Sequence, residues 1–459
     1  MKFHLLLIIF EIATCTAILT GNGQIHEEIT SLPKYGCQWY GGSNAMVNCT
    51  CREDADEFYI RRGEIPIYDT WTMEINNCKK VIFGEHSIED LRNLRYLHLR
   101  NIASLTLLKE SLNWLGYSAH YQPDEEEEED ENIPSLKISM ENCNIEKISE
   151  YTFKGRIKEI QIIDCHIQDL ESFAFLSLRH TQSITLTNTA IGTVKPQAFK
   201  LFTTKQLILD NITTASLPSR TFSNVGVQEN FRISSSKFDI INSGAFIIDG
   251  PKWFEVSNSE INTLDGEAFT VTVKGDVYIK NNNVSVVNPG AFVKVNPIKN
   301  LVTETALYLI LDSNYFASMG RNSLDVKGVV LKVVDLKVNE TCNCEGLMDR
   351  FQQYKESFSE IKCLDGEHYI SFTEYKSAKC TILSGHSTMI IIIGVISFLL
   401  LVMVIILSLY YHKSFREGKY GKENEPTKNM SLIVPDGRTY RETEVHVILE
   451  RADLLTTDL

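Results

Sequence analysis

The chain has 459 residues and carries 59 acidic against 45 basic side chains, a formal net charge of −14. That excess disfavours a nucleic-acid binder, whose surface must neutralise phosphate with basic groups. Hydrophobic residues at 43% and aromatics at 10% exclude a wholly disordered chain, and the length calls for several domains or one long repeat array.

Met1 and Lys2 lead into an apolar run from Leu5 to Phe10, interrupted by Glu11, with small residues up to Gly21 and Gly23. Charge, short apolar run and small residues in that order predict a secretory signal peptide over 1–23. Residues 24–93 then hold Cys37, Cys49, Cys51 and Cys78, and residues 329–386 hold Cys342, Cys344, Cys363 and Cys380, each group containing one Cys-x-Cys. Behind a signal peptide, even-numbered clusters of this kind predict disulfides ahead of a zinc site, with the connectivity left open. Sequons at Asn48, Asn211, Asn283 and Asn339 fall in the same stretch and permit glycosylation; a fifth, at Asn429, lies beyond the apolar segment described below.

Between the cysteine groups one phenylalanine recurs, at Phe153, Phe175, Phe199, Phe222, Phe246, Phe269 and Phe292, with spacings of 22, 24, 23, 24, 23 and 23 residues. Four apolar positions precede each at fixed offsets, as in Ile160, Ile162, Ile167 and Leu170 before Phe175. The same frame gives Phe254, Val256, Ile261 and Leu264 before Phe269. A further unit carries Leu309, Leu311, Asn314, Phe316 and Met319. The period-2 pair predicts a short strand, and the later positions turn the chain back over it. One unit cannot bury its own apolar side, so the units must stack on a shared core.

This pattern resembles the extracellular leucine-rich repeat, with a Leu-x-x-Leu-x-Leu-x-x-Asn/Cys-x-Leu consensus and a closing Phe, over residues 133–324 and an earlier degenerate unit at Leu94, Leu97 and Leu99. The resemblance implies an α/β solenoid, a horseshoe with a parallel sheet on its concave face, spanning 94–328 with a disulfide cap at either end. It also implies that Cys143 and Cys165, at the Asn/Cys position, are buried free thiols bonding loop backbone. Departures are Ile, Val and Phe in place of Leu, Thr189, Ser236 or Ser259 at the polar position, and Thr214 at an apolar one. They leave a parallel β-helix as the rival solenoid. A run of acids from Asp124 to Glu131, within an insertion over 123–132, predicts a solvated loop without calcium-loop spacing.

Met389 to Leu409 contains no charge and is long enough, at about 1.5 Å per residue, to cross a hydrocarbon core of about 30 Å. Tyr410, Tyr411, Lys413, Arg416, Lys419 and Lys422 follow it, which predicts a cytoplasmic C-terminus and a type I single-pass protein of the cell membrane. The tail, 410–459, is polar and short, and predicts disorder. Glu450 with Leu454 and Leu455 resembles an acidic dileucine endocytic signal, which would imply endosomal cycling through clathrin adaptors. Thr457 to Leu459 resembles a PDZ-domain ligand.

No nucleophile elbow, phosphate loop, zinc-protease helix or kinase signature occurs, and Asp164, Asp210 and Asp276 fall in different rows of the repeat frame. The sequence therefore predicts a non-enzyme without cofactor or metal. Outward strand positions in the later repeats carry Arg232, Trp253, Glu255, Tyr278, Lys280 and Tyr308. Exposed aromatics beside arginine anchor protein interfaces, whereas the competing reading has Trp253 and Tyr278 serving as cross-strand packing. The expectation is a receptor-like or adhesion-like glycoprotein binding a protein ligand or co-receptor, resembling Toll-type ectodomains without a cytosolic signalling domain. The alternative is a membrane scaffold or trafficking adaptor acting through the tail.

Overall fold

The computed structural model describes residues 26–28, 36–42, 44–52, 56–65, 69–115, 134–298, 306–344, 346, 350–357, 359–380 and 382–417. The signal-peptide stretch, the acidic run and the tail motifs lie outside them. Two compact units are present, 1–385 and 386–459.

Within the first unit the alternating apolar pairs form strands whose buried residues all point one way, as in Tyr96–Arg100, where Leu97 and Leu99 are inward. Successive pairs lie in register: Leu97 beside Ile138, Ile138 beside Ile160, Ile160 beside Ile184 and Ile184 beside Leu207. The result is a parallel ladder of twelve strands from Met46–Thr50 to Val330–Val334, here called ladder A. The pairing already includes residues before 94 and continues past 328. A second parallel ladder, B, begins at Phe58–Ile60 and reaches Leu336–Thr341 and then Ile361–Asp365. A third, C, runs from Leu112–Trp114 to Val295–Pro297.

The array is thus a β-solenoid whose turns carry up to three strands. The expected α/β horseshoe is met only in its coarser form, a solenoid with a parallel sheet. Its return side carries strand and turn, with no helix among the described residues of 58–298. The cause is local: the segments opening with the recurrent phenylalanine keep a two-residue alternation, with Phe246 and Ile248 inward, then Phe269, Val271 and Val273. β-Branched and aromatic side chains at that period favour strand over helix.

The phenylalanines form one internal column. Neighbouring rings stack from Phe153 to Phe292, at 4.5, 4.4, 4.5, 5.0, 5.4 and 6.2 Å between centroids. Corners are built by left-handed residues. Asn77, Asn101, Asn142, Asp164, Asn188, Asn211, Ser235, Asn258, Asn281, Ser313 and Asp335 stand with φ between 49° and 56° where ladder A turns into ladder B. Asparagine and aspartate tolerate this conformation best after glycine. Their side chains also bond along the stack, Asn142 Nδ2 donating to Asn101 Oδ1 at 2.8 Å and Asn211 Nδ2 to Asn188 Oδ1 at 2.7 Å. At the corner before ladder C, the N–H of each left-handed residue bonds the next turn, from Tyr151 to the Phe173 carbonyl through to Gly290 and the Asn322 carbonyl.

Just inside the first corner runs a buried polar row. The backbone N–H groups of Ile212, Ser236, Ser259 and Asn282 donate to Ser236 Oγ, Ser259 Oγ, Asn282 Oδ1 and Asn314 Oδ1 of the following turn. Cys143 and Cys165 occupy the same row as buried free thiols, with the Cys143 N–H donating to Cys165 Sγ and each thiol donating to backbone carbonyls. The hydrogen bond with Cys143, and then burial, push the Cys165 thiol up. Thr214 is buried among apolar neighbours with no partner for its hydroxyl among the described residues.

The ends are closed by sulfur. Cys37 pairs with Cys49 and Cys51 with Cys78; Cys342 pairs with Cys363 and Cys344 with Cys380. Cys37–Tyr40 runs antiparallel to Met46–Thr50 and covers the first edge of ladder A, while His368–Ser371 runs antiparallel to Ile361–Asp365 at the far end of ladder B. The second unit holds most of a helix over Ile382–Glu417, of which Ile390–Ser414 is long and apolar enough to cross a membrane.

Removing the ring of Phe199 leaves a cavity between two stacked neighbours, so Phe199→Ala should cost about 3–5 kcal/mol in denaturant unfolding. Leu201, 55% exposed, should lose under about 0.5 kcal/mol on truncation to Ala. Thr214→Val removes an unsatisfied buried hydroxyl at equal size and should raise the unfolding free energy by about 1 kcal/mol in the same assay.

Candidate binding face

Because the apolar pair of each ladder A strand points inward, the residues flanking it are forced outward in three parallel rows. In the later turns Trp253 follows Asn230, Glu255 lies between Arg232 and Tyr278, and Lys280 lies between Ser257 and Asp312. The structure gathers five of the six expected residues into one cluster. The Trp253 and Tyr278 rings stack at 4.3 Å with 22° between planes. Lys280 Nζ stands 4.5 Å from the centre of the Tyr278 ring and 5.5 Å from that of Trp253. Trp253 Nε1 donates to Glu255 Oε2 at 2.8 Å, and Arg232 Nη2 stands 3.9 Å from the same oxygen. Tyr308 is set by its backbone N–H, which donates to Asp276 Oδ1, and pairs with Val330 at the end of ladder A.

The cross-strand contact expected of the aromatic pair is present. Trp253 keeps 38% of its surface open, Tyr278 is half-buried, and Tyr308, outside the cluster, is 39% exposed. Burial alone would raise the Glu255 carboxyl, but hydrogen bonds from Trp253 and Ser257 and the charges of Lys280 and Arg232 outweigh it and hold the group below its ordinary value. Tyr278 is raised by burial and by the nearby Asp276 and Glu255 carboxylates. The cluster therefore presents an aromatic surface edged by two cations, Lys280 and Arg232, and one satisfied anion, Glu255.

A second cluster on the same face was missed in the sequence. Tyr96, His98 and Arg100 are the outward partners of the Leu97 and Leu99 pair, so the alternation that located Trp253 would also have located them. Tyr96 stacks on His98 at 6.2 Å, Arg100 pairs with Glu141 at 3.1 Å, and Lys137 pairs with Glu159 at 3.3 Å. Burial, and then the charge of Arg100, disfavour protonation of His98. Between the clusters the outward positions Ser183, Thr185, Thr187, Gln206 and Ile208 carry no charge, and Asp210, at the end of its row, carries one.

The sequons divide unevenly around the solenoid. Asn283 and Asn339 are exposed on ladder B, and Asn211 is exposed at the corner leaving ladder A; Asn48 is half-buried in the first strand of ladder A. Ladder A between Thr72 and Val334 carries no sequon within its strands. Asp164 sits at the corner, Asp210 at the end of an outward row and Asp276 just ahead of Val277–Lys280, so no two share a row. No cluster of metal-ligating side chains is found among the described residues.

No protein-family model matches the chain, and no curated protein matches it. What the geometry defines is a class: a disulfide-closed β-solenoid of about twelve turns, suited to extracellular protein binding, accompanied by one apolar helix near the C-terminus.

Glu255 supplies a pH signature. Its folded pKa lies below the unfolded one, so its stabilisation is present above the ordinary carboxylate pKa and is lost as pH falls through the lower folded value. Replacing Glu255 by Gln should flatten the stability loss below about pH 4.5, measured by thermal melting against pH. An unchanged slope there would contradict the contact set described for this carboxylate.

Proposed function

We propose that the chain is a type I single-pass glycoprotein of the leucine-rich-repeat class at the cell surface. In this reading its ectodomain binds a protein ligand or co-receptor through ladder A. The observation that carries the proposal is the Trp253–Tyr278 stack with Lys280, Glu255 and Arg232 around it, partly open on a face whose strands beyond the first lack sequons. Aromatic and arginine side chains of this kind provide most of the energy of protein interfaces.

The repeat class is supported by the buried polar row, where Cys143, Cys165, Ser236, Ser259, Asn282 and Asn314 bond the backbone of adjoining turns at the Asn/Cys position of the consensus. The likeness to Toll-type ectodomains is part of the same proposal, and so is the assignment as a non-enzyme. Orientation with the solenoid outside rests on the basic cluster after the apolar helix.

Residues 24–385, applied to intact cells, test the reading. Trp253→Ala with Tyr278→Ala should weaken protease-sensitive cell binding at least about tenfold, as loss of a hot spot of about 2 kcal/mol would. Ile240→Ala on ladder B should leave it unchanged. Retention of full binding by the double variant would remove ladder A from the interface.

A further inference from the structure

An open groove of about 590 Å³ runs along the corner where ladder A turns into ladder B. One wall is the left-handed column from Asn101 through Asn142 and Asp164 to Asn188. The other is formed by Asn144, His166 and Ala190, which open successive strands of ladder B and share one register row. With turns spaced at about 4.8 Å, the four that line it make the groove roughly 14 Å long. The ladder B row goes on to Thr213 and then to Lys237 and Glu260, whose long side chains pair at 3.1 Å in place of the short Ala190.

The corner side chains are joined along the stack. Asn101 Nδ2 donates to Asn77 Oδ1 at 3.0 Å, Asn142 Nδ2 to Asn101 Oδ1 at 2.8 Å, Asn188 Nδ2 to Asp164 Oδ1 at 2.9 Å and Asn211 Nδ2 to Asn188 Oδ1 at 2.7 Å. The one missing step, from Asp164 to Asn142, falls in the middle of the groove. A carboxylate has no N–H to give, so Asn142 Oδ1 and the second Asp164 oxygen remain acceptors without a donor among the described residues. At the Asn188 end stands exposed Asn211, in the sequon Asn211-Ile212-Thr213, its amide nitrogen directed at the Asn188 side chain that closes the groove. Thr213, also exposed, follows Ala190 in the ladder B row.

We infer that the groove seats the chain's own N-linked glycan, the N-acetylglucosamine core carried by Asn211. Attachment replaces one of the two Nδ2 hydrogens by the anomeric carbon of the sugar; the lipid diphosphate of the donor leaves, and the displaced proton goes to solvent. The hydrogen that stays on Nδ2 can keep the bond to Asn188 Oδ1. Sugar hydroxyls are the donors that Asn142 Oδ1 and Asp164 lack. The lining holds one carboxylate and one imidazole among amides and alanines, which suits a neutral polyol better than an ionic ligand. A sugar tethered at the groove's end has an effective concentration on the order of millimolar, so weak contacts suffice to hold it. Asn283, in the same ladder B row, has no such seat, because its neighbours there are Glu260 and Tyr315. The inference rests on the proposed placement of the solenoid outside the cytosol.

The full chain, made in animal cells and held in detergent micelles, is treated undenatured with peptide N-glycosidase F, and release at each sequon is followed by peptide mass spectrometry. The glycan on Asn211 should leave at least about tenfold more slowly than that on Asn283, because cleavage waits for the sugar to unseat. Asp164→Asn supplies the missing N–H and completes the amide row, and should bring the two rates within about threefold. Ala190→Lys, which fills the groove beside its root, should do the same and leave release at Asn283 unaltered. Melting temperature and circular dichroism establish that each variant folds, and asparagine suits the left-handed corner at 164 as aspartate does. Equal release at Asn211 and Asn283 in the parent chain, or slow release at Asn211 that both variants retain, would overturn the inference. An unmodified Asn211 beside modified Asn283 and Asn339 would also overturn it while leaving the extracellular reading in place. Unmodified asparagine at all four sequons would remove that reading and this one together.

Discussion

No turn of this molecule can enclose its own apolar side chains. Each supplies roughly one layer of inward residues, two from ladder A, two from ladder B and a phenylalanine from the side that closes the turn, and that layer is covered only by the layers before and after it. Everything else depends on this sharing. The phenyl rings stack because the turns have nearly equal length, and the turns have nearly equal length because a slip of one residue would turn an entire inward row to solvent. Stability is therefore a sum of neighbour terms along one axis, with two exposed ends that the four disulfides and their antiparallel strands close.

Sharing of the interior also requires sharp corners, and corners expose backbone groups that have to be satisfied. The left-handed column from Asn77 to Asp335 solves the geometric part, and the buried polar row beside it solves the hydrogen-bonding part. Gly155 shows how tight this is. It stands at φ +96°, and a Cβ there would lie 2.2 Å from the carbonyl oxygen of Trp114 in the preceding turn. With interior and corners both occupied by structural duties, only the outward positions of the three ladders remain free to vary. The aromatic cluster on ladder A is drawn from that set.

Much of this was legible in the residues. The recurrent phenylalanine, the paired apolar positions and the Asn/Cys position located the column, ladder A and the polar row, because each follows from a fixed period that the chain repeats. The grouping of Trp253 with Tyr278, Glu255 and Lys280 was equally legible once the strand frame was set. The third ladder was not, since a stretch such as Phe269–Val273 has the alternation of a strand but a length and position that the resemblance assigned to the return side of a horseshoe. Disulfide connectivity was open for a different reason: four cysteines in a group allow three pairings, and only the placement of Met46–Thr50 against Cys37–Tyr40 brings Cys37 to Cys49. Tyr96 and His98 were passed over because the early repeats are degenerate.

Cys143 and Cys165 give the fold an internal record. They are buried free thiols in adjoining turns of a protein whose other cysteines among the described residues are joined in disulfides. Each sits where adjoining coils meet and keeps under 5% of its surface open, so its rate of alkylation rises when those coils part. The molecule thus carries, at its fourth and fifth coils, a chemical clock for how often the stack opens.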